Sequence, residues 1–258
     1  MTRPDLDVLR GRFLAYAQAF AAEDPGQESL YRLKIEHTLR VLALAQEISR
    51  EERMDRDAAE LAAMAALFHD TGRFRQLRQY RTFSDRQSEN HARLGVRALL
   101  GNGLLAGMAP ARRGVILGAV FLHNVRSLPE RLPEPLRSVT MAVRDADKLD
   151  IVPVLMGHLE TAVELDPVVC LGVTRAPGRY TAAILDDLEQ GHTSRYDQLH
   201  FENDLRLLVS GWIYDLNYAA SRRIYAREGL LERVLAPLPA DPRIQNLRRQ
   251  LEERLHRP

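Results

Sequence analysis

Apolar residues recur along this chain with the period of an α-helix almost everywhere. Val41, Leu44 and Ile48, for example, form one stripe on a helix that we expect from about residue 29 to 53. Alternating runs of β-branched residues, which would indicate strands, are essentially missing. The pattern therefore predicts an all-α fold. The expected helices cover about residues 5–22, 29–53, 56–69, 88–101, 111–125, 135–150, 152–164, 180–190, 197–227 and 242–256.

Clusters of proline and glycine separate several of these predicted helices, and "SLPERLPEP" and "VCLGVTRAPGRY" are clear examples. Residues 71–86 are rich in arginine and aromatic residues without a clear period, which is typical of a loop or a short helix. We expect a single helical domain over residues 1–258, with its core at about 30–155. A C-terminal helical extension at about 170–258 either wraps the same core or forms an appendage.

Half of the eight histidines fall on the apolar faces of the predicted helices, at offsets that point into the core. The other four lie in more polar or irregular surroundings. Asp147 follows Val143 by one helical turn, and Asp70 directly follows an inward histidine, so two carboxylates join the set. The inward histidines are His37, His69, His91 and His123.

Six inward polar side chains are difficult to satisfy by hydrogen bonds among themselves, and an unpaired buried polar group costs several kcal/mol. A metal ion removes this difficulty, because imidazole nitrogen and carboxylate oxygen are common ligands of divalent ions. If Asp70 bridges two ions, His91 and His123 are available for the second. A first ion would take four ligands, which are His37, His69, Asp70 and Asp147.

Charge and cysteine content narrow the class of protein. The chain has 36 Lys and Arg against 35 Asp and Glu, and this balance gives no electrostatic reason to expect a nucleic-acid polymer or a membrane as partner. The single cysteine, Cys170, suits a reducing compartment. Neither a signal-peptide pattern nor a stretch of membrane-spanning length is visible. We expect a soluble, cytoplasmic protein.

Five short motifs carry the predicted ligands. They are "HTLRV" with His37, "ALFHD" with His69 and Asp70, "SENHARLG" with His91, "AVFLHN" with His123, and "DADKLD" with Asp147. Their order and local contexts resemble the HD-domain metal-dependent phosphohydrolase superfamily, in particular its stand-alone bacterial members. The resemblance covers about residues 30–155 and implies a helical bundle that binds one or two divalent ions. Mn, Fe, Mg, Co and Ni are all candidates for the ion.

The resemblance implies hydrolysis of a nucleotide or another small phosphate ester by a hydroxide that bridges two metal ions. Asp70 would act as the bridging carboxylate. Arg73 lies in the basic segment "GRFRQLRQYR", and its guanidinium is suited to a phosphate. Lys148 follows Asp147 and is expected to reach the same cavity. Other arginines that suit a phosphate equally well, or a solvated surface, are Arg40, Arg75, Arg78 and Arg81.

Two other functions stay open at this point. Some relatives with the same six ligands are di-iron oxygenases, and ligand type does not separate iron from the other divalent ions. A non-catalytic nucleotide-binding module is the third hypothesis. Many two-metal members have a further histidine where this chain has Asn124, and the signature of the cyclic-di-GMP phosphodiesterase branch is absent. Whether the chain forms a homodimer is also open.

Overall fold

The computed structural model describes residues 4–256, and it confirms the all-α prediction. Within this range no β-strand is formed, and the one extended feature is an isolated bridge between Thr174 and Phe201. The chain folds into two compact units. The first unit ends at Asp147 and the second begins at Lys148.

The first unit contains six complete helices and the start of a seventh, and it holds the predicted ligands. Its helices are α1 (Leu6–Glu23), α2 (Glu28–Glu51), α3 (Arg56–Phe68), α4 (Thr71–Tyr80), α5 (His91–Gly101), α6 (Pro110–Leu122) and α7 (Leu136–Thr161), and α7 continues into the second unit.

Polar side chains at the predicted helix starts explain several of these bounds. Asp5, Asp55 and Asn90 each precede a helix, and their side-chain oxygens accept hydrogen bonds from backbone N–H groups of the first turn. Pro110 is the first residue of α6, where its missing N–H costs no helical hydrogen bond. The local sequence therefore defines where these helices begin.

The helix α3 lies at the centre of the first unit and packs against α1, α2 and α6. Every residue from Leu61 to Phe68 is buried, which explains why its apolar pattern runs all the way round. Aromatic rings close the core beside it, where Phe13 meets Phe68 and Phe74 edge-on and Tyr31 stacks on Phe74. The predicted ligand His69 directly follows this central helix.

The second unit contains the remainder of α7 and five further helices. They are α8 (Ala182–Glu189), α9 (Glu202–Ser210), α10 (Ala219–Arg227), α11 (Leu230–Leu235) and α12 (Pro242–Leu255). The buried carboxylate of Asp204 joins two helix starts in this unit. It accepts hydrogen bonds from the N–H and hydroxyl of Thr181, and from the N–H groups of His200 and Phe201.

Two predicted boundaries are wrong. We expected separate helices at 135–150 and 152–164, but α7 runs unbroken through Pro153. Proline removes one hydrogen bond from a helix, but its backbone angle is compatible with the helical one. The single helix expected at 197–227 is instead divided by a 3₁₀ segment at Gly211–Asp215, and the short α11 was not predicted.

Asp145 and Asp150 flank Asp147 in the sequence, and helical phase places both off the inward face, so the sequence predicts solvated positions for them. This prediction is wrong. Asp145 is fully buried and Asp150 is 4% exposed. Residues 142–146 of α7 are all buried, so this part of the helix has no solvent face to which a polar residue could be assigned. Among the described helices, none combines the length and apolar character that crossing a membrane requires.

Candidate metal centre

Chain reversals and helix ends bring the predicted ligands together in the first unit. His69 and Asp70 occupy the turn between α3 and α4, so their side chains diverge although they are neighbours. His91 is the first residue of α5, and His123 directly follows α6. His37 lies in the middle of α2 and is buried. Separate helices and one turn therefore supply these five residues.

Two groups of side chains in the first unit have the spacing that a metal ion requires. One group consists of His37, His69 and Asp70, and the other consists of Asp70, His91 and His123. Within each group the ligand atoms lie within 4.8 Å of one another, and all five residues are buried. Because Asp70 belongs to both groups, the two potential metal positions are adjacent.

The two carboxylate oxygens of Asp70 face different histidine pairs. Oδ2 lies 3.6 Å from His37 Nε2 and 3.8 Å from His69 Nε2. Oδ1 lies 3.5 Å from His91 Nε2 and 3.9 Å from His123 Nε2. A carboxylate in this orientation can give one oxygen to each of two ions.

Asp147 lies beside the first group. Its Oδ1 is 3.1 Å from His37 Nε2 and 3.5 Å from His69 Nε2. This oxygen is buried, yet no described residue gives it a hydrogen bond of good geometry. A buried acceptor without a donor is expected where a cation completes the site.

Hydrogen bonds at the far ring nitrogens decide which nitrogens can bind a metal. The Nδ1 atom of His123 lies 2.7 Å from the carbonyl of Val120, and Nδ1 of His91 lies 2.8 Å from Asp85. Both acceptors require a proton on Nδ1, which leaves a lone pair on Nε2 of each neutral ring. These two Nε2 atoms face each other at 2.9 Å. Two lone pairs at this distance repel, so this geometry fits a cation that is coordinated by both nitrogens.

The first group repeats the arrangement. His69 Nδ1 lies 2.7 Å from the carbonyl of Ala66, and its Nε2 lies 3.3 Å from His37 Nε2. Metal-binding histidines commonly donate their second N–H to a carbonyl or carboxylate in this way, which sets the ring orientation. The residues present therefore fit divalent metal ions.

The two carboxyl groups of the cluster are ionised. Burial alone would raise the pKa of Asp70, but the charges of Lys34 and His69 act against it and hold this pKa well below its usual range. Burial likewise acts to raise the pKa of Asp147, and contacts with His37 and His69 lower it well below the usual value. Carboxylate is the form that binds a metal.

The pKa values of two histidines in the cluster shift in opposite directions. Burial, together with the neighbouring His91 and His69, lowers the pKa of His123 to about 3, so this ring is neutral. Burial also acts to lower the pKa of His69, but Asp70 and Asp147 outweigh it and raise that pKa. The carboxylates thus favour positive charge at the position between them.

Positive side chains flank the shared carboxylate. Lys34 Nζ lies 2.8 Å from Asp70 Oδ2, and Arg73 Nε lies 3.4 Å from Asp70 Oδ1. Both cations also lie over the Phe83 ring, at 5.1 and 5.9 Å from its centroid. We did not predict Lys34, although it precedes His37 by three residues on α2, and that spacing would have placed it on the same helix face.

The remaining basic candidates lie elsewhere. Arg78 pairs with Glu23, and Arg81 pairs with Asp24, near the end of α1. Arg75 and Arg40 are exposed. Lys148 belongs to the second unit, where its Nζ lies 2.8 Å from Asp215, and its catalytic role stays a prediction.

A buried arginine holds the end of α6, where His123 lies. The Arg144 side chain is 3% exposed, and its Nη1 donates to the carbonyl oxygens of His123 at 3.0 Å and Leu122 at 3.5 Å. It also donates to Val125 and Arg126. These carbonyls lie at or just beyond the C-terminal end of α6, where a helix leaves carbonyl oxygens without α-helical partners.

Replacing Arg144 with methionine is expected to lower the free energy of unfolding by about 2–3 kcal/mol, because several buried carbonyls lose a charged donor. Urea unfolding of the metal-free protein measures this change. The matched control is Arg137→Met on the same helix, since Arg137 is exposed and makes one long bond to the Glu130 carbonyl. Equal unfolding free energies for the two variants would contradict the role assigned to Arg144.

A comparison with protein families agrees with this geometry. The model of the HD-domain family matches residues 35–151, a range that includes every predicted ligand. No curated protein and no solved structure matches the chain. The match confirms the resemblance that the five motifs indicate.

Proposed function

From the match of the HD-domain family to residues 35–151, we propose that the chain is a metal-dependent phosphohydrolase acting on a nucleotide or another small phosphate ester. Most proteins with this domain are metal-dependent hydrolases. The observation that carries the proposal is the position of Asp70, whose two oxygens face two separate histidine pairs.

Two divalent ions at such a site would acidify a water molecule, bind phosphoryl oxygens and neutralise charge in the transition state. The protein residues have a separate task, which is to keep the ligands in their metal-binding form. The carbonyls of Ala66 and Val120 hold the proton of the neutral His69 and His123 rings on Nδ1, which leaves Nε2 available to a metal ion. Burial of the cluster excludes bulk water and strengthens each electrostatic interaction within it.

Lys34 and Arg73 are the basic residues best suited to the substrate phosphate. Both lie beside Asp70 and over the ring of Phe83. Arg73 makes its hydrogen bonds through Nε and Nη1, which point to Asp70, Gln76, Asp85 and the Phe83 carbonyl. We propose that Arg73 orients Asp70 and presents its remaining amino group to a phosphoryl oxygen, and that Lys34 supplies a second positive charge.

The test is a panel of phosphorylated compounds offered to the purified protein after its metals have been removed with a chelator. The panel contains nucleoside mono- and triphosphates, cyclic nucleotides and small phosphorylated metabolites, each with Mn²⁺, Mg²⁺, Co²⁺, Ni²⁺ or Fe²⁺. We expect phosphate or phosphomonoester release that requires an added metal. The same protein without metal is the control.

Three outcomes would contradict the proposal. Uptake of O₂ with Fe²⁺ under reducing conditions, without hydrolysis of any compound, would indicate an oxygenase. Nucleotide binding without turnover under any metal condition would indicate a binding module. Hydrolysis that continues unchanged in the presence of chelator would show that the reaction does not require a metal ion.

A further inference from the structure

Asp85 lies in the segment between α4 and α5, outside both ligand groups, yet its carboxylate collects an unusual number of donors. Its side chain is partly exposed, so water alone could satisfy it. Instead both oxygens accept from His91 Nδ1, at 2.9 and 2.8 Å. The other donors are the His91 N–H at 3.2 Å, Gln76 Nε2 at 2.8 Å, Arg73 Nη1 at 3.3 Å, Asn124 Nδ2 at 3.1 Å and Asn90 Nδ2 at 3.3 Å.

We propose that Asp85 is a positioning residue for the metal ion held by His91 and His123, and that it determines how tightly this ion binds. The inference rests on the metal-binding part of the proposed function and does not require that the chain hydrolyses any particular substrate. Asp85 does not contact the ion itself in this proposal. It acts through the imidazole of His91.

The position of His91 in its helix explains why an outside acceptor is needed. His69 and His123 each follow the last turn of a helix, where the carbonyl three residues earlier has no helical partner and accepts from Nδ1. His91 is the first residue of α5, where the unpaired backbone groups are N–H donors. No helical carbonyl is available there, and the Asp85 carboxylate takes its place.

The carboxylate does more than replace a carbonyl. An ionised acceptor makes a stronger hydrogen bond than a neutral one and increases the basicity of the opposite ring nitrogen, Nε2. The pKa of Asp85 lies below its usual value, because contacts with His91, Arg73 and Gln76 outweigh the effect of burial, which acts to raise it. The donors that face its two oxygens from His91, Gln76 and Arg73 suit a carboxylate acceptor.

Three neighbours hold Asp85 in place and connect it to both ligand groups. Gln76 is fully buried and also donates to Ser88 and to the carbonyl of Glu89. Asn124, which stands next to His123, donates to Asp85. Arg73 contacts Asp70 and Asp85 together. Asn124, which stands where many two-metal HD-domain proteins have a further histidine, thus supports His91 through Asp85.

The test measures Co²⁺ binding to the metal-free full-length protein by calorimetry and by the absorption of bound Co²⁺. Two binding steps are expected in the unmodified chain, and His91→Ala identifies the step that belongs to the second group. In Asp85→Ala this same step should weaken about 10- to 100-fold, which is the usual effect of losing an outer partner of a ligand. The other step should change by less than about threefold.

Two further variants separate this role from a general effect on folding. Asp85→Asn keeps an acceptor of similar size but loses the charge, so the second step should weaken by an intermediate amount. Glu89→Ala is the matched control, because Glu89 lies in the same segment and its side chain pairs with Arg97 on the surface. It should bind both ions like the unmodified chain.

Equal weakening of both steps in Asp85→Ala, or no change in either, would overturn the proposal. Thermal unfolding of each metal-free variant shows whether it is folded, and Asp85→Asn gives the same comparison if the alanine variant is not. A failure to find any hydrolysed substrate would leave the two binding steps measurable, so it would count against the proposed function and not against Asp85.

Discussion

Replacing Asp70 by alanine is expected to abolish metal-dependent hydrolysis, with kcat/KM lowered by at least about 1000-fold. Loss of a residue that only supports a metal ligand already lowers metal affinity or activity about 10- to 100-fold. Asp70 is itself a member of both ligand groups. Its removal takes one oxygen from each of the two histidine pairs. It also leaves the Lys34 ammonium without the carboxylate that it faces, and it removes one of the two carboxylates beside the Arg73 guanidinium.

The measurement compares turnover of the best compound of the panel by the two proteins, together with their content of bound metal after dialysis. Asp7→Ala is the control, since Asp7 is an exposed carboxylate in the first turn of α1. We expect this variant to retain full activity. Turnover by Asp70→Ala at the rate of the unmodified chain would show that the chemistry takes place elsewhere.

The variant Gly72→Ala is expected to lower the free energy of unfolding by more than about 4 kcal/mol, which exceeds the usual cost of overpacking. A Cβ atom on Gly72 would lie 2.0 Å from the carbonyl oxygen of His91 and 2.5 Å from the backbone nitrogen of Gly95. Both atoms belong to the backbone, so a rotamer change does not relieve the clash. The helices α4 and α5 would have to separate.

Such a separation would reach the metal centre, because Asp70 directly precedes α4 and His91 is the first residue of α5. We therefore expect Gly72→Ala to lose metal affinity as well as stability, measured by chemical unfolding and by Co²⁺ titration. Gly114→Ala is the matched control. Gly114 is an exposed helical residue with open space around the position of a Cβ atom, so alanine there should be neutral or mildly stabilising. Similar stabilities for the two variants would contradict the close contact of α4 with α5.

The fold class and the burial of the candidate histidines could be predicted because these histidines sit at helical offsets from apolar residues. His37, for instance, shares its face with Val41 and Ile48, and both are fully buried. Periodicity reports which face of a helix is buried, and a histidine on that face requires a partner. Four such histidines, together with Asp70 and Asp147, were sufficient to predict a shared site.

The supporting residues were not found in this way, although the spacing of Lys34 from His37 places both on one face of α2. Asp85 lies in an irregular segment, where side-chain direction has no period to reveal it. Lys34 and Arg144 lie on helices, but a charged residue on a helix is ordinarily solvent-exposed. Their roles depend on acceptors supplied by other parts of the chain, namely Asp70 for Lys34 and the end of α6 for Arg144.

The broken helices of the second unit escaped prediction for a different reason. The stretch 197–227 is apolar and aromatic at helical spacing, and no proline marks the 3₁₀ segment at Gly211–Asp215. A Cβ atom on Gly211 would lie 2.3 Å from the Leu188 side chain. The 3₁₀ segment therefore begins where the chain packs closely against α8. Such packing depends on the tertiary structure and cannot be predicted from the local sequence.

Because the predicted ligands are far apart in the sequence, a bound ion would also stabilise the fold. The coordinating side chains come from positions as distant in sequence as 37 and 147, and an ion that joins them closes several long loops at once. Loop closure costs conformational entropy, and a ligand that binds only the folded chain offsets part of that cost. A bound metal ion would then raise the free energy of unfolding, and a chelator would lower it even where no substrate is present.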